Sequence, residues 1–243
     1  MPGARGDGIL RNVTGSRAAA GHERHPGSSA PGRRRTQIVF LGSLALAAPA
    51  CRSRETTTAA PFSDSFERGE LGADWLDTGG NYHVAGGKLR AQNAYNHPAW
   101  LRRPLPHNVA IDVDVQSDSP SGDIKVELYG DGHSFDPDRG GYVSTGYVLI
   151  FGGWHNSLSV ICRNNEHDEG RKVMRTSPRV TPGQTYHFAI TRQNGRIDWK
   201  IDGAPFLAWT DPQPLDGADH AYFAVNDWEA NVSFDNLSVR PLP

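Results

Sequence analysis

The sequence predicts an all-β protein, a two-sheet antiparallel sandwich over residues 61–243, on three observations. From Pro61 onward apolar residues recur at every second position, as on half-buried strands, and no amphipathic helix interrupts them. Two-residue turn pairs separate these runs. The 27 Gly and 17 Pro, with six Trp, seven Tyr and nine Phe, suit many short strands joined by tight turns.

In NVAIDVDV (108–115), Val109, Ile111, Val113 and Val115 share one face while Asp112 and Asp114 share the other. DIKVELY (123–129) places Ile124, Val126 and Leu128 inward and Lys125, Glu127 and Tyr129 outward. TYHFAIT (185–191) turns Tyr186, Phe188 and Ile190 in; RIDWKI (196–201) does the same with Ile197, Trp199 and Ile201. In AYFAV (221–225), Phe223 and Val225 are core, so Tyr222 and Asn226 face the other way. Asn194-Gly195 and Asp202-Gly203 signal hairpins, and Gly86-Gly87, Gly152-Gly153 and Pro182-Gly183 mark further turns. About a dozen strands result, with two long polar loops at 131–145 and 164–172.

The formal charge of −2 conceals an asymmetry. Residues 1–50 carry seven Arg against Asp7 and Glu23, a net of +5, which leaves −7 for 51–243. An acidic domain excludes nucleic acid as a partner, because phosphate binding needs a basic face. Residues 1–32, rich in Gly, Ala, Arg, Ser and Pro, read as a disordered tail or as the product of a start placed too far upstream. Residues 33–50 read as a signal peptide, with Arg33, Arg34 and Arg35 before the apolar run IVFLGSLALAAPA (38–50). That run is short for a bilayer span, which takes about 20 apolar residues.

LALAAPAC (44–51) resembles a bacterial lipobox, although Ala48 stands where Leu is usual and Pro49 is uncommon. The resemblance implies lipidation of Cys51, with 51–60 as a polar tether. Arg52 provides no Asp for inner-membrane retention, so the outer membrane is the expected destination. The membrane is then met through the lipid anchor only, and the domain is expected to be a monomer. Cys162, in the apolar stretch LSVICR, reads as a buried, inert thiol. Two cysteines allow neither a disulfide framework nor an all-cysteine zinc site.

FSDSFERGELGADW (62–75), YHVAGGKLRAQ (82–92), the hairpin segment 184–215 and AYFAVNDWEANVSFDNLSVRPL (221–242) together resemble the concanavalin A-like lectin/glucanase superfamily. The resemblance is nearest to bacterial lipoproteins and to the 3-keto-disaccharide hydrolase (3-keto-glycoside hydrolase/lyase) group. It implies a jelly roll, and a fold that hosts lectins, glycosidases, lyases and interaction modules alike. It also implies a structural Ca²⁺ held by Asp64, the Gly86 backbone and Asp235; Asp235-Asn236 reads equally well as a bulge between Phe234 and Leu237. No other cofactor is required. The eight histidines beyond residue 60 have no zinc spacing. Family 16 glycosidases of this fold carry E-x-D-x-x-E; here EHDEGR (166–171) supplies Glu166 and Asp168 but Arg171 in the acid's place.

Two clusters remain as candidate chemistry. GGWHNSLSVICRNNEHDEG (152–170) gathers Trp154, His155, Arg163, Asn164, Glu166 and His167, with Trp154 as a stacking platform for a sugar ring. NDWE (226–229) brings Asn226 and Trp228 to a strand end. Trp154 or Trp228 is expected within about 10–12 Å of Arg163, Glu166 or His167, the span of a disaccharide-sized ligand. The reading that follows is a non-catalytic domain binding an oligo- or polysaccharide. Its rivals are a glycoside hydrolase or lyase using Glu127, Glu166, His167 and Asp227 as acid/base groups, and a protein-binding envelope module.

Overall fold

A computed structural model describes residues 60–135 and 144–243. The tail and signal peptide at 1–50, Cys51 with residues 52–59 of its tether, and the centre of the 131–145 loop lie outside the described residues. The sandwich expected from the alternation is observed, with fifteen strands among the described residues. In chain order they are β1 (Phe62–Asp64), β2 (Trp75–Asp77), β3 (His83–Ala85), β4 (Lys88–Gln92), β5 (Ala99–Leu101), β6 (Val109–Ser117), β7 (Ile124–Gly130) and β8 (Tyr147–Gly152). There follow β9 (Leu158–Arg163), β10 (Arg171–Arg175), β11 (Thr185–Gln193), β12 (Arg196–Ile201), β13 (Ala204–Thr210), β14 (Tyr222–Asn226) and β15 (Asn231–Pro241).

One sheet runs β13-β12-β11-β6-β15-β4-β3, with β1 also paired to β15, and the other runs β10-β9-β8-β7-β14-β5-β2. All the strand pairings are antiparallel. The β11–β12 hairpin turns on Asn194 and Gly195, at φ 49° and 80°, and β12–β13 turns on Asp202 and Gly203, at 50° and 78°. Both residues of each turn are left-handed, the geometry that matches strand twist and that Asn-Gly and Asp-Gly tolerate best. The core lies between the sheets. Val113, Phe188, Trp199 and Phe234 meet Ile124, Val126, Leu149, Phe151, Phe223 and Val225, all essentially excluded from solvent.

Alternation fails at one predicted position. Tyr129 was expected to face outward with Lys125 and Glu127, but it lies in the core. The β7–β14 register moves from Glu127↔Ala224 to Gly130↔Tyr222, so β7 holds one extra residue, and Tyr129 sits at φ 56°. This bulge turns the ring inward. Its hydroxyl donates to the carbonyls of Pro106 (2.8 Å) and His107 (3.0 Å), and the Arg192 guanidinium lies 4.5 Å from the ring centre.

The implied Ca²⁺ ligands do not form a site either. The Asp64 carboxylate is taken by Arg68 at 2.5 and 2.8 Å, by the indole N–H of Trp75 at 2.9 Å and by the backbone N–H of Phe66. Asp235 accepts from the N–H of Asn236 where the β15–β6 register shifts between Asp235 and Ser238, which is the bulge alternative. No cluster of three or more His, Cys, Asp or Glu suited to a metal occurs among the described residues.

Candidate functional site

Residues of β7 that point away from the core decorate the outer face of the seven-stranded sheet. Lys125 and Glu127 are there, joined by Val148 and Ile150 of β8 and Val160 and Cys162 of β9. The last four form a small apolar cluster against which Trp154 packs. Beside it opens a pocket of about 370 Å³. Its floor holds Lys125, Asp123 and Asn96; Trp154, His155, Glu166 and His167 line one part, and Ser121, Trp228 and Glu229 another.

Trp154 is held there by an unusual turn. Gly152, Trp154, His155 and Asn156 all have positive φ, of 72°, 51°, 56° and 59°. A left-handed residue other than Gly costs roughly 1–2 kcal/mol, so three in a short run persist only where the surroundings fix them. Asn156 does much of this: its side-chain amide donates to Val180 O (2.7 Å) and its carbonyl oxygen accepts from Val180 N (2.9 Å). The hydroxyl of Ser159 accepts from Gly152 N, and Ser157 donates to Trp154 O. The Trp154 ring then meets the Arg171 guanidinium at 4.2 Å and His167 edge-on at 5.9 Å.

Glu166 reaches the floor from the loop after β9. Gly170 ends the 3-10 turn Asp168–Gly170 so close to Asn165 that a Cβ would stand 1.8 Å from its carbonyl oxygen. That packing, with Arg171 Nε donating to Glu166 O at 3.0 Å, folds the loop back over β9. Glu166 is thereby 6 % exposed. Lys125, at 2 %, directs its ammonium to Asn96 Oδ1 (2.6 Å) and Glu166 Oε2 (3.0 Å), with Asp123 Oδ2 at 3.6 Å. Burial opposes the charge on Lys125, but Glu166, Asp123 and Glu127 outweigh it and raise its pKa.

On the other side, the loop 93–96 is tied to the loop 227–230. Asn93 N, Tyr95 N and Asn96 N donate to the carbonyls of Ala230, Trp228 and Asp227. Trp228 N donates to Asp123 Oδ2 at 2.5 Å. The Trp228 ring makes an edge contact with Tyr95 at 5.2 Å and remains 45 % exposed.

The structure thus brings five of the sequence candidates, Trp154, His155, Glu166, His167 and Trp228, around one pocket. Others lie elsewhere. Arg163 is the inner-facing end of β9; it binds Asp211 (2.8 Å) and the Gln213 carbonyl (3.1 Å), and neither it nor exposed Asn164 lines the pocket. Asn226 and Glu127 are fully buried and bond to each other at 2.9 Å. Asp227 is also fully buried and accepts from the N–H groups of Ala94 and Ala230. Burial pushes its pKa up to about 7, against those two hydrogen bonds, and Asp123 adds to the rise. Glu127 and Asp227 are therefore closed to a substrate as acid/base groups. Cys162 is buried as expected, its thiol pushed up to about 12 by burial and by Glu166.

Asn96, Ser121 and Asp123 were missed. Asp123 shares parity with Lys125 along the strand, a signal that was available; Asn96 and Ser121 arrive through loop folding and carried none.

A family model described as "Farnesoic acid 0-methyl transferase" matches residues 124–238, which includes Lys125, Trp154, Glu166, His167 and Trp228. No curated protein matches the sequence. Similar solved structures include the carbohydrate binding module CBM66 from Bacillus subtilis, 13% identical, covering 69% of this chain and 95% of that one at a TM-score of 0.54. The Ca²⁺-bound exoplasmic/lumenal domain of VIP36 is 12% identical, with coverages of 74% and 90% and a TM-score of 0.57. A Bacillus subtilis protein with a galectin-like fold is 15% identical, with coverages of 75% and 96% and a TM-score of 0.54. At these identities the likeness is one of fold, the galectin- and concanavalin-like sandwich.

Proposed function

We propose that this chain is an exported, lipid-anchored protein whose sandwich binds an oligo- or polysaccharide without cleaving it. The observation that carries the reading is the pocket itself. Trp154 and the half-exposed Trp228 stand at a cavity whose floor presents fixed polar groups, Lys125, Asp123, Asn96 and Glu166. Sugars suit such a place, because their C–H faces are apolar while their hydroxyls need convergent donors and acceptors. The volume of about 370 Å³ accommodates one or two sugar rings. The fold likeness to a carbohydrate binding module supports the same reading. Absence of cleavage is argued from the missing E-x-D-x-x-E motif and from Glu166, both of whose oxygens face Lys125.

A second reading is a hydrolase or lyase acting on ordinary or 3-keto glycosides. It is favoured by Asp123 and Glu166 lying in one pocket with His167. A glycan array together with a hydrolysis screen on the same purified chain separates the two. Binding without products supports the first, products the second, and neither result leaves a protein-binding envelope module. The export claim rests on Arg33–Arg35, the apolar run and Cys51. Palmitate-analogue labelling that is lost in Cys51→Ala supports it, and a wild type that is never labelled sinks it. The outer membrane and a monomeric domain are part of the proposal; membrane fractionation and light scattering test them.

A further inference from the structure

We propose that the pocket selects its sugar by charge, taking a glycan with a free amino group over its N-acetylated counterpart and turning away one that carries a carboxylate. This rests on the carbohydrate reading above. Three carboxylates line the cavity, Asp123, Glu166 and Glu229, against the single ammonium of Lys125. That ammonium has no donor to spare. It donates to Asn96 Oδ1 at 2.6 Å and to Glu166 Oε2 at 3.0 Å and Oε1 at 3.3 Å, with Asp123 Oδ2 at 3.6 Å as an ion-pair partner, and the side chain is 3 % exposed. An incoming carboxylate would find no free cation at the floor and would stand beside three like charges.

An incoming ammonium meets the opposite situation. Glu229 is exposed in the lining, where its carboxylate is open to a ligand. Asp123 and Glu166 lie deeper and are already paired with Lys125, so Glu229 is the carboxylate left to give a ligand ammonium a charge-assisted hydrogen bond, about twice as strong as a neutral one. The walls add to this through Trp228 alone. Indole faces attract cations, and Trp228 is 45 % exposed in the lining, whereas the Trp154 ring is already taken by the Arg171 guanidinium 4.2 Å from its centre. His155 and His167 complete the aromatic part of the lining.

The experiment is calorimetric titration of the full chain with hexamers of glucosamine, N-acetylglucosamine and galacturonic acid at neutral pH, run beside the glycan array. The expected order is amino, then N-acetyl, then acidic, with the amino hexamer about tenfold tighter than the N-acetyl one at low salt. That gap should shrink at high salt, since partly exposed charges are screened. Glu229→Gln should weaken the amino hexamer about threefold and leave the N-acetyl hexamer unchanged. Equal or better binding of the N-acetyl hexamer, or best binding of the acidic one, overturns the charge selection and leaves carbohydrate binding intact. So does a set of array hits that includes neutral glycans but none with an amino group. An array with no hits at all removes the carbohydrate reading, and the charge selection with it.

Discussion

The ammonium of Lys125 lies 3.0 Å from Oε2 of Glu166, and both side chains are almost wholly buried beneath the pocket. An ion pair in that position is a liability once broken. Its two charges have lost their water, and only their mutual attraction and the neighbouring Asn96 and Asp123 offset that loss.

Lys125→Met leaves Asp123 and Glu166 without their shared cation and should cost about 3–5 kcal/mol. Glu166→Gln leaves the ammonium with Asp123 and Asn96, so its cost should be smaller, about 1–3 kcal/mol. Urea denaturation of both variants checks the order, and the reverse order would show that the cation is not the centre of the cluster. The raised Lys125 pKa adds a pH signature. Its contribution to stability is fully present below the ordinary lysine value and is lost as pH rises through the folded one. The difference in stability between wild type and Lys125→Met should therefore narrow in strong alkali.

Asp227 gives the complementary case near neutrality. Its folded pKa, about 7, is above the ordinary value of 3.8, so between those limits the folded state binds more protons than the unfolded one. Its contribution to stability is full below about pH 4 and is lost as pH rises to 7. Asp227→Asn keeps Oδ1, which accepts from Ala94 N at 3.2 Å and Ala230 N at 3.1 Å, and removes the titration. The variant should lose less stability than wild type between pH 4 and 7, as followed by thermal unfolding. An unchanged pH dependence would mean that Asp227 does not carry it.

The fold was legible because alternation is a local property. Val109 to Val115 and Ile197 to Ile201 each announce one buried face, and Asn194-Gly195 announces its own turn. Alternation misplaced Tyr129, since a bulge inserts one residue that no local pattern marks. The pocket was half legible. Trp154, Glu166 and Trp228 stand out as aromatic and charged groups near strand ends, whereas Asn96 reaches Lys125 only because the loops 93–96 and 227–230 are bonded together. Arg163 failed for a different reason. As the last residue of β9 it follows the inner face and is captured by Asp211, 48 positions away, a contact set by tertiary structure alone.

Asn156 is a positioning residue and touches no part of the proposed ligand space. It holds the left-handed turn beneath Trp154 through two bonds to Val180, of 2.7 and 2.9 Å. Asn156→Ala orphans a buried N–H and a buried carbonyl and should cost about 2–4 kcal/mol. It should also weaken sugar binding, because Trp154 and His155 lose their anchor. Asn156→Asp keeps the acceptor for Val180 N but sets its second oxygen against the Val180 carbonyl, so it should recover neither loss. Binding that survives Asn156→Ala undiminished would detach the turn from the site.

Trp228 and Trp100 provide the sharpest contrast between binding and packing. Trp228 is 45 % exposed and its ring touches Tyr95, whereas Trp100 is 1 % exposed, with its indole N–H directed at the Ser134 carbonyl at 3.3 Å. Truncating a buried tryptophan leaves a cavity and costs about 3–5 kcal/mol. Trp100→Ala should therefore lower the melting temperature markedly. Trp228→Ala exposes little that was hidden and should cost under about 1 kcal/mol. In binding, the weakening from Trp228→Ala should reach tenfold or more if its face carries a sugar ring, since burying a large apolar side chain is worth about 1.5–3 kcal/mol. Melting curves and titration with any glycan that the array identifies measure both effects on the same samples. A Trp228→Ala protein that melts early, or that binds like wild type, would move the ligand away from this pocket.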